Sequence, residues 1–321
     1  MLSFIVIGKN ESVRIYNCIN SILNFINFNN LKNHEIIYVD SESKDDSIEM
    51  ASSFNNVKII KLVGDLNAAV ARNEGAKMAK GDFLYFIDGD MEITNNFYEH
   101  VFDKEGKLIY DFVSGEFVSY YYSGGSFVSS EPYHNIVDDT FEPTTGGIFI
   151  INKLLWVELD GMKLKYKRCQ DIDFGLRMSS RGIQLLRKKN IIAIHHTVSY
   201  YEHKRLWTDL FNFNQLYQKS VLYRDHALNP FIWRYVKREI SLFSLLLSFL
   251  LYLVSLQSFF LLIFPIFILV KSLYKYDNGV SKNILISYSY YFLLDVFVFF
   301  GFLFFWPNNN KIYSVQQDFT L

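Results

Sequence analysis

Apolar positions in the N-terminal half fall into short uninterrupted runs, at residues 4–7, 36–39, 57–62 and 83–87, each rich in β-branched or aromatic side chains. Runs of that length without alternation suit strands buried on both faces of a parallel sheet. The stretches between them change period. Val13, Tyr16, Ile19 and Leu23 recur at spacings of three and four, which predicts a helix from about Ser12 with one apolar face. A second helix follows Asp45-Asp46-Ser47, where a short polar side chain can cap free N–H groups. A third, over residues 67–79, is rich in alanine and stops at Lys80-Gly81. Strand–helix–strand repetition predicts an α/β fold, an open and mostly parallel sheet flanked by helices. Ligands of such sheets bind beyond the carboxyl ends of the strands.

The pattern then loosens. Residues 108–122 read as strand with aromatic alternation, and Ser123-Gly124-Gly125-Ser126 as a turn. Thr144-Thr145-Gly146-Gly147 precedes a short strand at 148–151, and 191–194 is another. A helix begins near Gln170-Asp171, with Ile172, Leu176 and Met178 on one side and Gly182 as its stop; Asp173 and Arg177, four apart, can pair on it. Between 206 and 222, Leu206, Leu210, Phe213, Tyr217 and Val221 keep helical spacing. That fits equally a helix lying flat on a membrane and an ordinary packing helix.

Composition changes the picture at the C-terminal end. Half of the 321 residues are hydrophobic, and the surplus is concentrated in 239–306. Residues 240–270 carry no charge and are long enough to cross a bilayer; 284–306 is a second candidate, interrupted by Asp295. Lengths beyond ~18 apolar residues argue against a buried hairpin of a soluble protein. Arg234, Lys237 and Arg238 precede the first stretch and Lys271, Lys275 and Lys282 follow it, so basic flanks do not choose an orientation. A stretch containing Gln257 and Pro265 could also bend and return. The chain therefore divides into a globular domain (1–200), amphipathic connecting helices (201–238), transmembrane or membrane-embedded helices (239–306) and a short polar tail (307–321). A net charge of −1 gives no bulk attraction to nucleic acid. Cys18 and Cys169 lack metal spacing and read as free thiols of a reducing compartment. The first apolar run has no basic flank or cleavage site, so it reads as a first strand and the globular domain is expected in the cytoplasm.

Candidate chemistry sits where the fold rule puts ligands. Asp88-Gly89-Asp90 leaves the strand at 83–87, and two carboxylates so spaced can hold a divalent cation through hard oxygen ligands. Gly8-Lys9-Asn10-Glu11 follows the first strand and Asp40 through Asp45 the second. Asp40 can accept hydrogen bonds from a nucleobase or ribose, and Arg72 in Ala71-Arg72-Asn73-Glu74-Gly75 can clamp a diphosphate. Taken singly, Asn10 and Asp45 also read as helix caps, Arg72 as a surface ion pair and Asp171 as a helix-start carboxylate. Of His195-His196, adjacent on a strand, at most one can face a metal.

In this order and spacing, the segments 4–11, 35–41, 71–75 and 88–90 closely resemble glycosyltransferase family 2 with its GT-A fold. The resemblance continues through Thr145-Gly146-Gly147 and residues 170–177 and covers roughly 1–200. It implies a nucleotide-sugar site in which Asn10, Glu11, Asp40, Arg72 and Asp88 hold the donor, with Asp40 on the base and Arg72 on the diphosphate. It also implies Asp88 and Asp90 as ligands of Mg²⁺ or Mn²⁺. Asp171 matches the family's general base, with Gln170 where the family has Glu. One displacement by an acceptor hydroxyl then inverts the anomeric carbon. His203-Lys204-Arg205-Leu206-Trp207 departs from the Gln-x-x-Arg-Trp motif of processive members, so transfer of a single sugar is expected. The apolar segment implies a lipid-linked or glycan acceptor and attachment to the cytoplasmic face of the membrane. The rivals are a nucleotidyltransferase, for which Gly8-Lys9-Asn10-Glu11 is a poor triphosphate loop, and a non-catalytic membrane-anchored binding module.

Overall fold

A computed structural model describes residues 1–198, 203–237, 239–275, 281 and 283–318. The chain forms two compact units, one of Met1–Val198 with Asn308–Leu321 and one of Ser199–Pro307. The boundary expected at residue 200 lies outside the described residues.

The first unit is built on a sheet of strands β1 (Leu2–Gly8), β2 (His34–Asp40), β3 (Val57–Gly64), β4 (Phe83–Asp88), β5 (Met91–Ile93), β6 (Phe112–Ser123), β7 (Ser126–Pro132), β8 (Thr140–Glu142), β9 (Phe149–Asn152), β10 (Leu185–Val198) and β11 (Tyr313–Asp318). Their order is β11-β3-β2-β1-β4-β9-β6-β10-β5, with β7 paired to β6 and β8 to β10. Strands β3, β2, β1 and β4 are mutually parallel, as expected of runs apolar on both faces. Past β4 the expectation of a mostly parallel sheet fails. Strand β9 lies antiparallel to both β4 and β6, and β10 runs parallel to β6 but antiparallel to β5 and β8. Apart from the parallel β6–β10 pair, hairpin and return connections replace parallel crossovers in this half. The run at 191–194 is only part of β10, whose polar first half pairs through Arg187 and Lys188.

Alternation along the strands makes two cores. Phe4, Val6, Tyr38 and Tyr85 pack under α1 (Ile15–Phe28) through Ile15, Ile19, Ile22 and Phe25. Ile5, Ile7, Val39 and Phe86 face the other side, with Val70 and Ala71 of α3 (Ala68–Met78), Trp156 of α4 (Lys153–Glu158) and Phe174 of α5 (Gln170–Ser180). Short α2 (Ser47–Ser52) follows β2. Helix α3 lies tight on the sheet because a Cβ at Gly75 would run into Ile5 and Val39. Asn67 caps it, its side chain accepting from Val70 N at 3.0 Å.

The expected polar tail is in part structural. Strand β11 pairs antiparallel with β3, Tyr313 opposite Gly64 and Asp318 opposite Ile59. Gly64, at φ 122°, admits the returning chain; a Cβ there would lie 2.6 Å from Ile312 O.

In the second unit the helix read across 206–222 breaks at Phe213, which has φ 56°. The apolar stretch 240–270 is likewise not one helix. It divides at Leu256, φ 58°, into Ile240–Ser255 and Ile263–Tyr274, joined through a 3₁₀ turn at Ser258–Leu262. The helix Ile284–Phe304, 21 residues, is the one described helix that alone is long and apolar enough to cross a membrane.

Candidate active site

The site begins where β1 and β2 end. Asn10 turns with φ 58°, its N–H donating to Ser43 Oγ at 2.8 Å while its Oδ1 accepts from Lys44 N at 2.8 Å. Glu11 N donates to Ser47 Oγ at 2.7 Å and Ser12 N to Asp45 at 3.0 Å. Asn10 is thus a cross-link between two loops, not the cap of α1, whose N-cap is Arg14. Asp40 is fully buried. Its oxygens accept from Tyr38 Oη at 2.9 Å, Ser43 Oγ at 2.5 Å and Ser43 N at 2.8 Å. The Asp40 carboxylate thus sets the shape of this loop.

Arg72 projects from α3 into the space after β4. Its side chain is 3% exposed and donates to Asp88 Oδ1 at 2.5 Å and to Gly147 O at 3.2 Å. Its Nε is buried with no hydrogen-bond partner, as is Thr145 Oγ1, and orphans of this kind are what a polar ligand satisfies. The loop before β9 closes over Asp88 so tightly that a Cβ at Gly147 would fall on the carboxylate. Burial pushes the Asp88 carboxyl up, and Arg72 opposes that shift. Glu11 is pushed up to about 7, by burial first and then by Asp90, Asp88 and Asp45.

Asp171, in the first turn of α5, belongs to the same electrostatic cluster. Its carboxyl is raised by burial, against which Arg72, the N–H groups of the helix start and Arg187 all pull down. A helix start alone would lower it; here burial outweighs the helix. A carboxylate raised in this way is a better proton acceptor than an exposed one. Cys169, just before α5, holds the left-handed φ of 65° that turns the chain into the helix. Helix α5 itself is fixed from two directions. Arg177 donates to Asp173 at 2.9 Å, to Leu159 O at 2.8 Å and to Gly161 O at 2.7 Å. Asn73, next to Arg72, exchanges two hydrogen bonds with the backbone of Met162, at 2.8 and 2.9 Å. Gly175 lets α5 lie on the 143–147 loop, for a Cβ there would stand 2.5 Å from Thr144 Cα.

Sequence reasoning missed Arg187. On β10, 1% exposed, it donates to Glu142 at 2.7 Å, Thr145 O at 2.9 Å, Gly115 O at 3.3 Å and Ser114 Oγ at 3.4 Å. It ties the Thr145-Gly146-Gly147 loop to the sheet from behind. Nothing in the local sequence marks a buried cation. The two histidines diverge: His195 Nε2 stands 3.2 Å from Asp90 Oδ2, whereas His196 contacts Glu92 at 3.0 Å and Tyr122 Oη at 2.9 Å.

Among the described residues no three His, Cys, Asp or Glu side chains are grouped so as to hold a metal by themselves. The donors present nonetheless fit a cation shared with a ligand. Asp88 and Asp90 offer hard oxygens, and Mg²⁺ is commonly held by one or two carboxylates with substrate phosphates supplying the rest.

Residues 3–182 match the family model for glycosyl transferase family 2. The chain belongs to glycosyltransferase family 2. It is 29% identical over 131 residues to glycosyltransferase GlyG of Streptococcus pneumoniae serotype 4, covering 40% of this chain and 42% of that protein. It is 29% identical over 94 residues to the cholesterol galactosyltransferase of Borreliella burgdorferi, 28% and 26% of the two chains. The chain spans less than half the length of these relatives. A solved structure of GalNAc-T7 with UDP, GalNAc and Mn²⁺ superposes with a TM-score of 0.52 at 16% identity, over 62% of this chain and 44% of that one.

Proposed function

We propose that this family 2 protein transfers one sugar from a nucleoside diphosphate sugar to an acceptor hydroxyl with inversion. The observation that carries this reading is the cluster around Arg72: its guanidinium bonds Asp88 at 2.5 Å and also acts on the Asp171 carboxylate. A donor diphosphate would lie against Arg72, its nucleoside toward Asn10, Glu11 and Asp40. Asp88 and Asp90 would hold Mg²⁺ or Mn²⁺, with His195 beside Asp90; such an ion neutralises charge growing on the leaving diphosphate. Asp171 takes the proton of the acceptor hydroxyl as that oxygen bonds to the anomeric carbon. The bond from that carbon to the diphosphate oxygen breaks on the opposite face, and the nucleoside diphosphate departs. Arg187, Arg177 and Asn73 are positioning residues: they fix the loop and helix that aim Asp171.

Attachment to the cytoplasmic face of a membrane, with a lipid-linked or glycan acceptor, completes the reading; its support is the apolar second unit. No nucleic-acid role is invoked. The test is release and transfer from a panel of nucleotide sugars by detergent-purified full chain. Mn²⁺-dependent transfer, abolished by chelator, is expected. Failure of every nucleotide sugar to bind would overturn the reading.

A further inference from the structure

The second unit has an apolar core, with Leu216, Phe264, Ile268, Leu294 and Val298, but its helices also carry large apolar side chains on their outer faces and small polar ones inside. In Ile240–Ser255 the buried residues are Ser241, Ser244 and Ser248. Leu247, Phe249, Leu250, Leu253 and Val254 stand 48–78% exposed. In Ile284–Phe304 the interior holds Ser287, Asp295 and Gly301 beside Tyr290, Tyr291, Leu294 and Val298, while Leu285 and Phe304 are about three-quarters exposed, at 75% and 74%. Water selects the reverse, and a contiguous apolar surface of this kind marks contact with another apolar phase. Small and hydrogen-bonded polar residues inside, with leucine and phenylalanine outside, is the arrangement lipid favours.

Two contacts give the direction of the chain. Ser248 Oγ donates to Phe260 O at 2.7 Å, and Lys271 Nζ donates to Ser241 Oγ at 2.6 Å. Helix Ile263–Tyr274 therefore runs back alongside Ile240–Ser255 and ends level with its start. The 16- and 12-residue legs are about 24 and 18 Å long, short of a hydrocarbon core of about 30 Å. Downstream, β11 is hydrogen-bonded into the same sheet as β1 to β4. Lys311 pairs with Asp65 at 2.8 Å, and Tyr313 Oη donates to Glu74 at 2.8 Å. The chain before residue 199 and after residue 307 is thus one folded body, which lies on one side of a bilayer. A hairpin that returns, followed by a strand on the original side, leaves no single crossing for Ile284–Phe304.

We propose that residues 240–306 form a one-sided insert in a lipid bilayer: the hairpin enters and returns through one face, and the 21-residue helix does not span. This deepens the membrane attachment proposed above and is independent of the transfer chemistry. It also accounts for exposed basic residues on both flanks of the hairpin, Arg234 and Lys237 before it and Lys275 at its end. With one-sided insertion all of them meet the same anionic headgroups.

The test places single cysteines by Lys32→Cys, Lys275→Cys and Ser314→Cys in a chain carrying Cys18→Ala and Cys169→Ala. A membrane-impermeant maleimide is then applied to each face of sealed membrane vesicles. All three sites reacting from one face and none from the other is expected. Lys275→Cys reacting from the opposite face would instead mean two crossings, and Ser314→Cys opposite Lys32→Cys a single one; either overturns the proposal. The unmodified chain is tested in parallel by flotation with vesicles of phosphatidylglycerol and phosphatidylethanolamine. Flotation is expected, and a chain left in solution without detergent overturns the lipid assignment. Transfer activity is read separately, so neither reading falls with the other.

Discussion

On the side of the site built by β1, β2 and β4, each functional group leaves the sheet directly after its own strand or on the helix that follows. Asn10, Glu11, Asp40, Asp88 and Asp90 need only short loops, stitched by Ser43, Lys44, Ser47 and Asp45. On the other side Asp171 owes its setting to residues distant in sequence. Arg177 grips the 159–161 carbonyls, Asn73 pairs with Met162, and Arg187 holds the loop beneath α5. The first side rests on loops leaving neighbouring parallel strands, and the second on a helix and a loop anchored by later elements of the sheet. The account therefore expects substitutions on the first side to act on donor and metal binding, and those on the second to act on turnover.

Asp88→Asn should have the largest effect of this set. It removes a charged ligand and leaves Arg72 buried beside a neutral group, and a loss in kcat/KM of about 10³ is expected, with donor affinity falling too. Titration calorimetry with nucleotide sugar and Mn²⁺ checks this; unchanged affinity would put the donor elsewhere. Arg187→Met should lower kcat about 10- to 100-fold with donor KM nearly constant, as loss of a supporting shell does. Because it leaves the Thr145 and Gly115 carbonyls without their buried donor, stability should also fall by about 1–3 kcal/mol in denaturant unfolding. A donor KM that rises while kcat holds would break the division between the two sides.

Gly175→Ala sharpens the comparison, since it touches no ligand-facing group. The new methyl meets Thr144 and Pro143, and a cost of about 1–3 kcal/mol is expected, with a matching loss of kcat. Smallest should be Tyr313→Phe, which removes one hydrogen bond to Glu74 at the far edge of the sheet. It should cost about 1 kcal/mol in denaturant unfolding and leave kcat and KM alone.

The same contrast separates what the sequence made legible from what it hid. Apolar runs located β1 to β4, because strands buried on both faces carry their signal in every residue. The positions of Asp88, Asp90 and Arg72 follow from those strands, and Asp171 was reached through the family resemblance. Strand β11 was hidden because Tyr313–Asp318 is a polar edge strand whose partner β3 lies far upstream. Arg187 was hidden because burial of a cation depends on Glu142 and three other partners that only the folded sheet assembles. The break at Leu256 was hidden for another reason: a left-handed leucine has no local signature, and hydropathy reads straight through it.

The central claim is that Asp171 takes the acceptor proton at a donor site it does not itself build. Asp171→Asn tests it most directly, in the detergent-purified full chain with Mn²⁺ and the nucleotide sugar that supports transfer. The account predicts donor affinity within about twofold of the unmodified chain and a fall in kcat of about 10²–10⁴. Transfer that persists at its original rate would contradict it, and so would loss of donor binding.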